Sequence, residues 1–281
     1  MDRLYHDLSL KTSMLTTKLY STSFSAGLTC IERESRDAIY SIYGFLRQAD
    51  EIVDTFHEYD KQALMLEFEQ EYYKCRERGI SLNLIINSFV ITVNKYSIPD
   101  DLVDAFLRSM KSDLANSEFN EKGIKEYIYG SADVVGLMCL KVMTHKNPAD
   151  YNRLKRHAMS LSSAFQKINF LRDIKNDTEN LSRNYFPVLN DRPFNEETKR
   201  IILDDICKEF RDALTGIREL PKSARTGIYL AYLYYKQLTA KIERTSTEQL
   251  MKRRIRVNDA QKFLLFCTAK TRSLLGKRFM I

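Results

Sequence analysis

Glycine and proline are scarce in this 281-residue chain, with nine and five residues respectively. Together they make up about 5% of the sequence, under half their usual share. So few turn-formers, beside many Leu, Ile, Lys, Glu and Gln, predict a chain that is nearly all helix. A Gly/Ser/Pro-rich linker, an internal repeat and a low-complexity tract are all missing, so residues 1–281 read as one domain. The five cysteines (30, 75, 139, 207 and 267) are odd in number and far apart, and no C-x-x-C occurs. That excludes a disulfide framework and fits reduced thiols in a cytosolic protein. The four histidines have no zinc spacing. The longest apolar stretch, Leu82–Val93, contains Asn83, Asn87 and Ser88. It is too short and too polar to span a bilayer. Asp2 and Asp7 break the polar start, so no signal peptide is expected. The expected location is cytoplasmic, with at most peripheral contact at the inner face of the membrane.

Positive charge is in excess, at +7. A basic balance suits nucleic acid, an anionic membrane or a phosphorylated substrate. No nucleic-acid motif is present, and the basic residues are scattered apart from Lys252-Arg253-Arg254-Ile255-Arg256. That run reads as a solvated helix end, a membrane-surface contact or a diphosphate contact, with Arg254 the candidate for the last.

Three Asp-x-x-x-Asp pairs occur among 19 Asp: Asp50/Asp54, Asp100/Asp104 and Asp173/Asp177. Chance alone gives about one such pair, so the spacing by itself carries little. Asp100 follows Pro99, which reads as a helix start with carboxylates near the positive end of the dipole. The other two pairs close polar stripes on otherwise apolar helices. Arg36, Tyr40, Tyr43, Arg47, Asp50 and Asp54 step by three or four, with Ala38, Ile39, Ile42, Phe45, Leu46, Ala49, Ile52 and Val53 between them. Gln166, Asn169, Asp173 and Asp177 do the same beside Arg172. Carboxylates enclosed by apolar residues are costly unless paired or metal-bound. Two buried Arg–Asp braces would explain either stripe. Their likeness favours one site, in which paired carboxylates hold Mg²⁺ or Mn²⁺ against diphosphate and Arg47 and Arg172 grip its oxygens. A dry wall of Phe, Tyr, Met and Leu would then shelter an allyl cation.

Helices are predicted over 9–30 (one helix or a turn-helix), 33–57, 60–78, 81–95, 99–115, 124–145 and 148–178. Others lie near 195–219 and 222–243, and a last one starts at Ser246 with a capping box to Gln249. Loops are expected at 116–123 and 180–195. Small residues at Gly130, Ser131, Ala132 and Gly136 imply close approach by a ligand or a neighbouring helix.

The chain resembles the squalene/phytoene synthase family, most closely its bacterial phytoene synthases. The likeness rests on Tyr20-x-x-Ser23-Phe24, Tyr43-Gly44-Phe45-Leu46-Arg47-Gln48-Ala49-Asp50-Glu51-Ile52-Val53-Asp54 and Tyr129-Gly130-Ser131-Ala132-Asp133-Val134-Val135-Gly136-Leu137-Met138. It continues through Gln166-Lys167-Ile168-Asn169-Phe170-Leu171-Arg172-Asp173 to Asp177, and Arg183-Asn184-Tyr185-Phe186-Pro187. The resemblance implies an all-α isoprenoid synthase fold in a single domain, with helices around a central active-site cavity. It implies head-to-head joining of two prenyl diphosphates through a cyclopropyl diphosphate, with Mg²⁺ and without NADPH. It places metal at Asp50, Asp54, Asp173 and Asp177, with Asn169 beside them. Substrate contacts fall to Ser23, Phe24, Tyr43, Arg47, Gln166, Asn169, Arg172, Tyr185 and Arg254. Tyr127 matches a tyrosine linked to the rearrangement half-reaction, and Arg47, Arg172, Asp50 and Asp173 complete the implied catalytic set.

Two departures stand out. The second motif lacks the family's glycine and outer acid, reading Lys175-Asn176-Asp177, and Asp133 stands where a small residue is usual. Asp133 either adds a carboxylate near the diphosphates or faces away. Geranylgeranyl diphosphate with phytoene as product is the expected chemistry. Squalene or dehydrosqualene synthesis from farnesyl diphosphate is the alternative. A non-catalytic assembly factor should have lost the carboxylates, and terpene cyclases and chain elongases use other acidic motifs.

Overall fold

The computed structural model describes residues 2–114, 120–179 and 183–276. It is 82% helical, with no strand among the described residues. Parts of both predicted loops, 116–119 and 180–182, lie outside the described residues.

Two helices, α1 (Asp2–Tyr20) and α2 (Thr22–Leu28), stand where one helix or turn-helix is predicted over 9–30. The break is at Ser21, which leaves helical geometry and accepts the Phe24 N–H with its side chain. That is capping chemistry, and it competes with continuation of the helix. Helix α3 (Arg33–Asp54) carries the first acid pair and buries Ile39, Ile42, Phe45, Leu46 and Ala49 on its other faces. Asp60 caps α4 (Lys61–Arg78), which ends at Gly79 with φ 82°, a left-handed turn that glycine makes without steric cost. Asn83 caps α5 (Leu84–Tyr96), accepting from two backbone N–H groups. Helix α6 (Asp100–Asp113) has Asp100 and Asp101 in its first turn, as predicted. These helices close around Phe45, whose ring lies 4.0 Å from Phe89 and 4.8 Å from Phe68.

The predicted helix over 124–145 is interrupted. Helix α7 (Glu121–Ile128) runs through a π-turn at Tyr129–Asp133 into α8 (Val134–Met143). Here the small residues serve close helix approach. A Cβ on Gly130 would come within 2.7 Å of the Ala105 carbonyl, and one on Gly136 within 2.1 Å of Ser162 Oγ. Helix α9 (Pro148–Glu179) starts at the predicted proline and carries the second acid pair. It packs on α10 (Glu196–Glu219) and α11 (Lys222–Arg244) in a second core around Ile168, Leu171, Phe210 and Tyr229. Lys199 is buried in this half because its ammonium donates to the Thr245 carbonyl at 2.7 Å, capping the end of α11.

The last predicted helix is corrected. Ser246 does accept the Gln249 N–H, but α12 (Thr247–Leu250) is one turn long. A fresh cap at Asn258 then starts α13 (Asp259–Leu275). The basic run 252–256 therefore lies in the connection between helices, not on a helix end. Helix α8 packs on both α3 and α9, so the two acid-bearing helices flank a seam between the cores. No helix among the described residues is long and apolar enough to cross a membrane.

Candidate active site

The seam gathers most of the predicted residues. On α3, Asp50 is 41% exposed at its side chain yet surrounded by protein. Desolvation, reinforced by Asp54, pushes its carboxyl up to about 7, against a smaller opposing effect of Arg47. Arg47 lies 3.8 Å from Asp50, hydrogen-bonds Glu51 and stacks over Tyr20 at 4.3 Å. Its Nε is buried without a partner. Asp54, the last residue of α3, is half-exposed, so the first stripe opens toward solvent at its C-terminal end.

On α9, Asp173 is held by two guanidinium groups. Arg172 Nη2 lies 2.6 Å from one oxygen and Arg254 Nε 2.6 Å from the other. Arg254 thus reaches the second acid pair from the α12–α13 connection. Desolvation, then Asp173, pushes Asp177 up to about 7; Asp54 acts in the same direction. That coupling places the two outer carboxylates within reach of each other's field.

Arg183 joins the two sides. It donates to Asp54 at 3.5 Å, to the Asp113 carbonyl at 2.8 Å and to the Tyr185 hydroxyl at 3.4 Å. Tyr127 donates to Asp113 Oδ2 at 3.0 Å. Burial pushes Asp113 up to about 7 and holds the Tyr127 phenol well above its usual range. The rings of Tyr127, Phe170 and Tyr185 form one wall, with Phe170 and Tyr185 stacked at 4.0 Å. Neither Arg183 nor Asp113 is among the predicted site residues. Asp113 ends α6, outside both stripes, and no spacing marks it. Arg183 sits inside a recognised motif, and that was its signal.

A second wall forms above. Tyr235 donates to Asn169 at 3.2 Å and stacks on Phe165 at 3.8 Å. Phe24 stacks on Tyr43 at 5.1 Å, with Ser23 next to it in α2. The Tyr43 phenol is raised by burial and feels Arg47, Asp50 and Tyr235. Gln166 is half-buried on α9, one turn before Asn169. Asp133 faces away from the acid pairs. It is buried against Glu209 and Lys167, with one carboxylate oxygen unpartnered.

Among the described residues, no group of three or more His, Cys, Asp or Glu could hold a metal ion unaided. The donor set is instead two carboxylate pairs on separate helices, two of whose members are raised toward protonation by burial and, after it, by a neighbouring like charge. This fits a hard divalent cation of the Mg²⁺ kind, which binds through one or two carboxylates and completes its shell with water and phosphate oxygens. Asp50 and Asp54 on one side, and Asp173, Asp177 and Asn169 on the other, are the groups that would hold it.

A family model described as squalene/phytoene synthase matches residues 17–189. A chloroplastic phytoene synthase of an Oncidium hybrid cultivar is 27% identical over 274 residues, covering 91% of this chain and 66% of that protein. The one from Cucumis melo is 26% identical, and the chain spans 65% of its length. A phytoene synthase of Arthrospira platensis is 24% identical, with 81% and 82% of the two chains covered. Among solved structures, a squalene synthase, HpnC, from Alicyclobacillus acidocaldarius superposes with TM-score 0.75 at 18% identity, covering 90% of this chain and 97% of that one. A dehydrosqualene synthase in complex with ligand gives TM-score 0.78 at 17% identity, over 95% and 96%. These two likenesses establish the isoprenoid synthase fold.

Proposed function

We propose that this chain, which belongs to the squalene/phytoene synthase family, joins two geranylgeranyl diphosphates head to head to make phytoene. The observation that carries this reading is the meeting of both acid pairs at one seam, bridged by Arg183 and bordered by stacked aromatic rings. The curated relatives named above support phytoene as the product.

The first step releases one diphosphate and forms a cyclopropyl bond to the second substrate, with loss of a proton. The second releases the other diphosphate, opens the ring and loses another proton. Magnesium would supply the positive charge that makes diphosphate a competent leaving group. Arg47, Arg172 and Arg254 grip and orient the diphosphate oxygens. Asp173 keeps two of these arginines aligned before substrate arrives. Tyr127, Phe170 and Tyr185 present ring faces to the cationic carbon skeleton and exclude water from it. Asp113 fixes the Tyr127 hydroxyl, and burial keeps that phenol neutral, so it orients without adding a charge that would trap the cation.

Supplying C15 and C20 diphosphates in competition, with Mg²⁺ and no reduced nicotinamide cofactor, tests the reading by the mass of the hydrocarbon. A C40 product is expected. A C30 product moves the substrate to farnesyl diphosphate, and no hydrocarbon from either overturns the proposal.

A further inference from the structure

Helix α1 is inside out. Its face against α3 and α5 is Ser9, Ser13 and Thr17, each 0% exposed. Their hydroxyls are satisfied locally or by α5: Asn87 donates to Ser9 at 2.9 Å, and Ser13 and Ser88 share a bond of 2.7 Å. On the outward face Leu4 is 79%, Leu8 49%, Leu15 57% and Leu19 73% exposed. Positions 4, 8, 15 and 19 fall on one helical stripe. The connection before α5 extends the patch. Tyr5 donates to the Ser81 carbonyl at 2.7 Å, holding that loop beside the first turns of α1, and Leu82 is 88% exposed. A helix with solvated leucines and buried serines leaves its apolar face for another phase or partner.

Two observations choose the occupant. Among the described side chains of α1, exposed Arg3, Lys11 and Lys18 border the stripe, against one exposed acid, Asp7. That charge complements anionic headgroups. A two-fold pairing of this face with a second copy would instead bring lysines toward lysines. Second, a cavity of about 640 Å³ opens beside the helix, its wall mixing Ile52, Phe56, Phe68 and Ile85 with Arg47, Glu51, Glu67, Glu71 and Lys74. Its rim residues Tyr20 and Asn83 directly follow Leu19 and Leu82. Arg47 is the same arginine that stands 3.8 Å from Asp50. A groove with both apolar and charged walls thus adjoins the leucine face.

We propose that α1 and the 80–82 loop dock the protein on an anionic lipid surface. The docking does not rest on the reaction proposed above.

Co-sedimentation with phosphatidylcholine vesicles containing about one third phosphatidylglycerol tests this. The wild type should pellet with them, weakly with pure phosphatidylcholine, and less at high salt. The Leu4→Gln/Leu8→Gln/Leu15→Gln/Leu19→Gln variant should partition at least about tenfold less, with unchanged circular dichroism. Should that variant not fold, Lys11→Glu/Lys18→Glu, which touches no core residue, should lose the preference for anionic vesicles. Equal pelleting of folded leucine variant and wild type overturns the proposal. So does a wild-type dimer that stays off vesicles and becomes monomeric in the variant. Turnover of detergent-dispersed C20 diphosphate, expected within about twofold in both proteins, reports on the reaction separately. Its absence would count against the proposed chemistry and leave the docking result standing.

Discussion

Asp100/Asp104 and Asp50/Asp54 have the same spacing and opposite surroundings. Arg76 of α4 meets Asp100 at 2.9 Å, and the Tyr73 hydroxyl donates to Asp104 at 2.7 Å. Those contacts answer both carboxylates and fasten α4 to α6. Asp50 has only a looser answer, Arg47 at 3.8 Å. That guanidinium hydrogen-bonds Glu51 with its other terminal nitrogen, and Asp54 and Asp113 add like charge. An i,i+4 acid pair is therefore structural where a neighbouring helix neutralises it. Where the fold leaves it under-compensated, it is a candidate for an exogenous cation.

The largest effect that can break this comparison is on turnover. Asp50→Asn or Asp173→Asn should cut hydrocarbon formation by about a thousandfold or more, while Asp100→Asn/Asp104→Asn stays within about twofold. Product assays on the purified variants check this, and equal losses would erase the distinction. Next, Tyr127→Phe and Asp113→Asn should slow the second half-reaction about tenfold or more. Cyclopropyl diphosphate should then accumulate, as read by mass spectrometry of the quenched mixture.

Asp133 sharpens the contrast as a buried acid turned away from the seam. Burial, with Glu209, raises it to about 7, opposed by Lys167. Its folded value thus exceeds its unfolded one, so its ionisation penalises the fold above about pH 7, and the penalty fades as pH falls toward 4. Asp133→Asn should accordingly raise stability on the order of 2–4 kcal/mol at pH 8. The gain should vanish near pH 4 in denaturant unfolding at both values. The smallest effect belongs to the surface pair: Asp100→Asn should cost about 0.5–1 kcal/mol through its lost ion pair with Arg76.

Much of the fold was legible because its signals are local. Pro148 starts α9, Asp60 caps α4 and Gly79 ends it. The inverted faces of α1 were not legible, because pattern reading puts leucine inside and serine outside, and here the reverse holds. The short α12 was missed because a capping residue marks where a helix begins and says nothing about its length. Within the site, the two stripes could be read from spacing along single helices. Asp113 and Arg183 could not, because each enters from another element and meets the acid pairs only through the tertiary fold. The orientation of Asp133 likewise depends on α10, which local sequence around the π-turn does not specify.

The central claim is that two separate acid pairs act as one site. Calorimetric titration of Mg²⁺ in the presence of inorganic diphosphate tests it most directly. Wild type and Asp100→Asn should bind alike, whereas Asp50→Asn and Asp173→Asn should each lose most of the binding, since neither pair suffices alone. Wild-type Mg²⁺ affinity in either of those single variants would contradict the account.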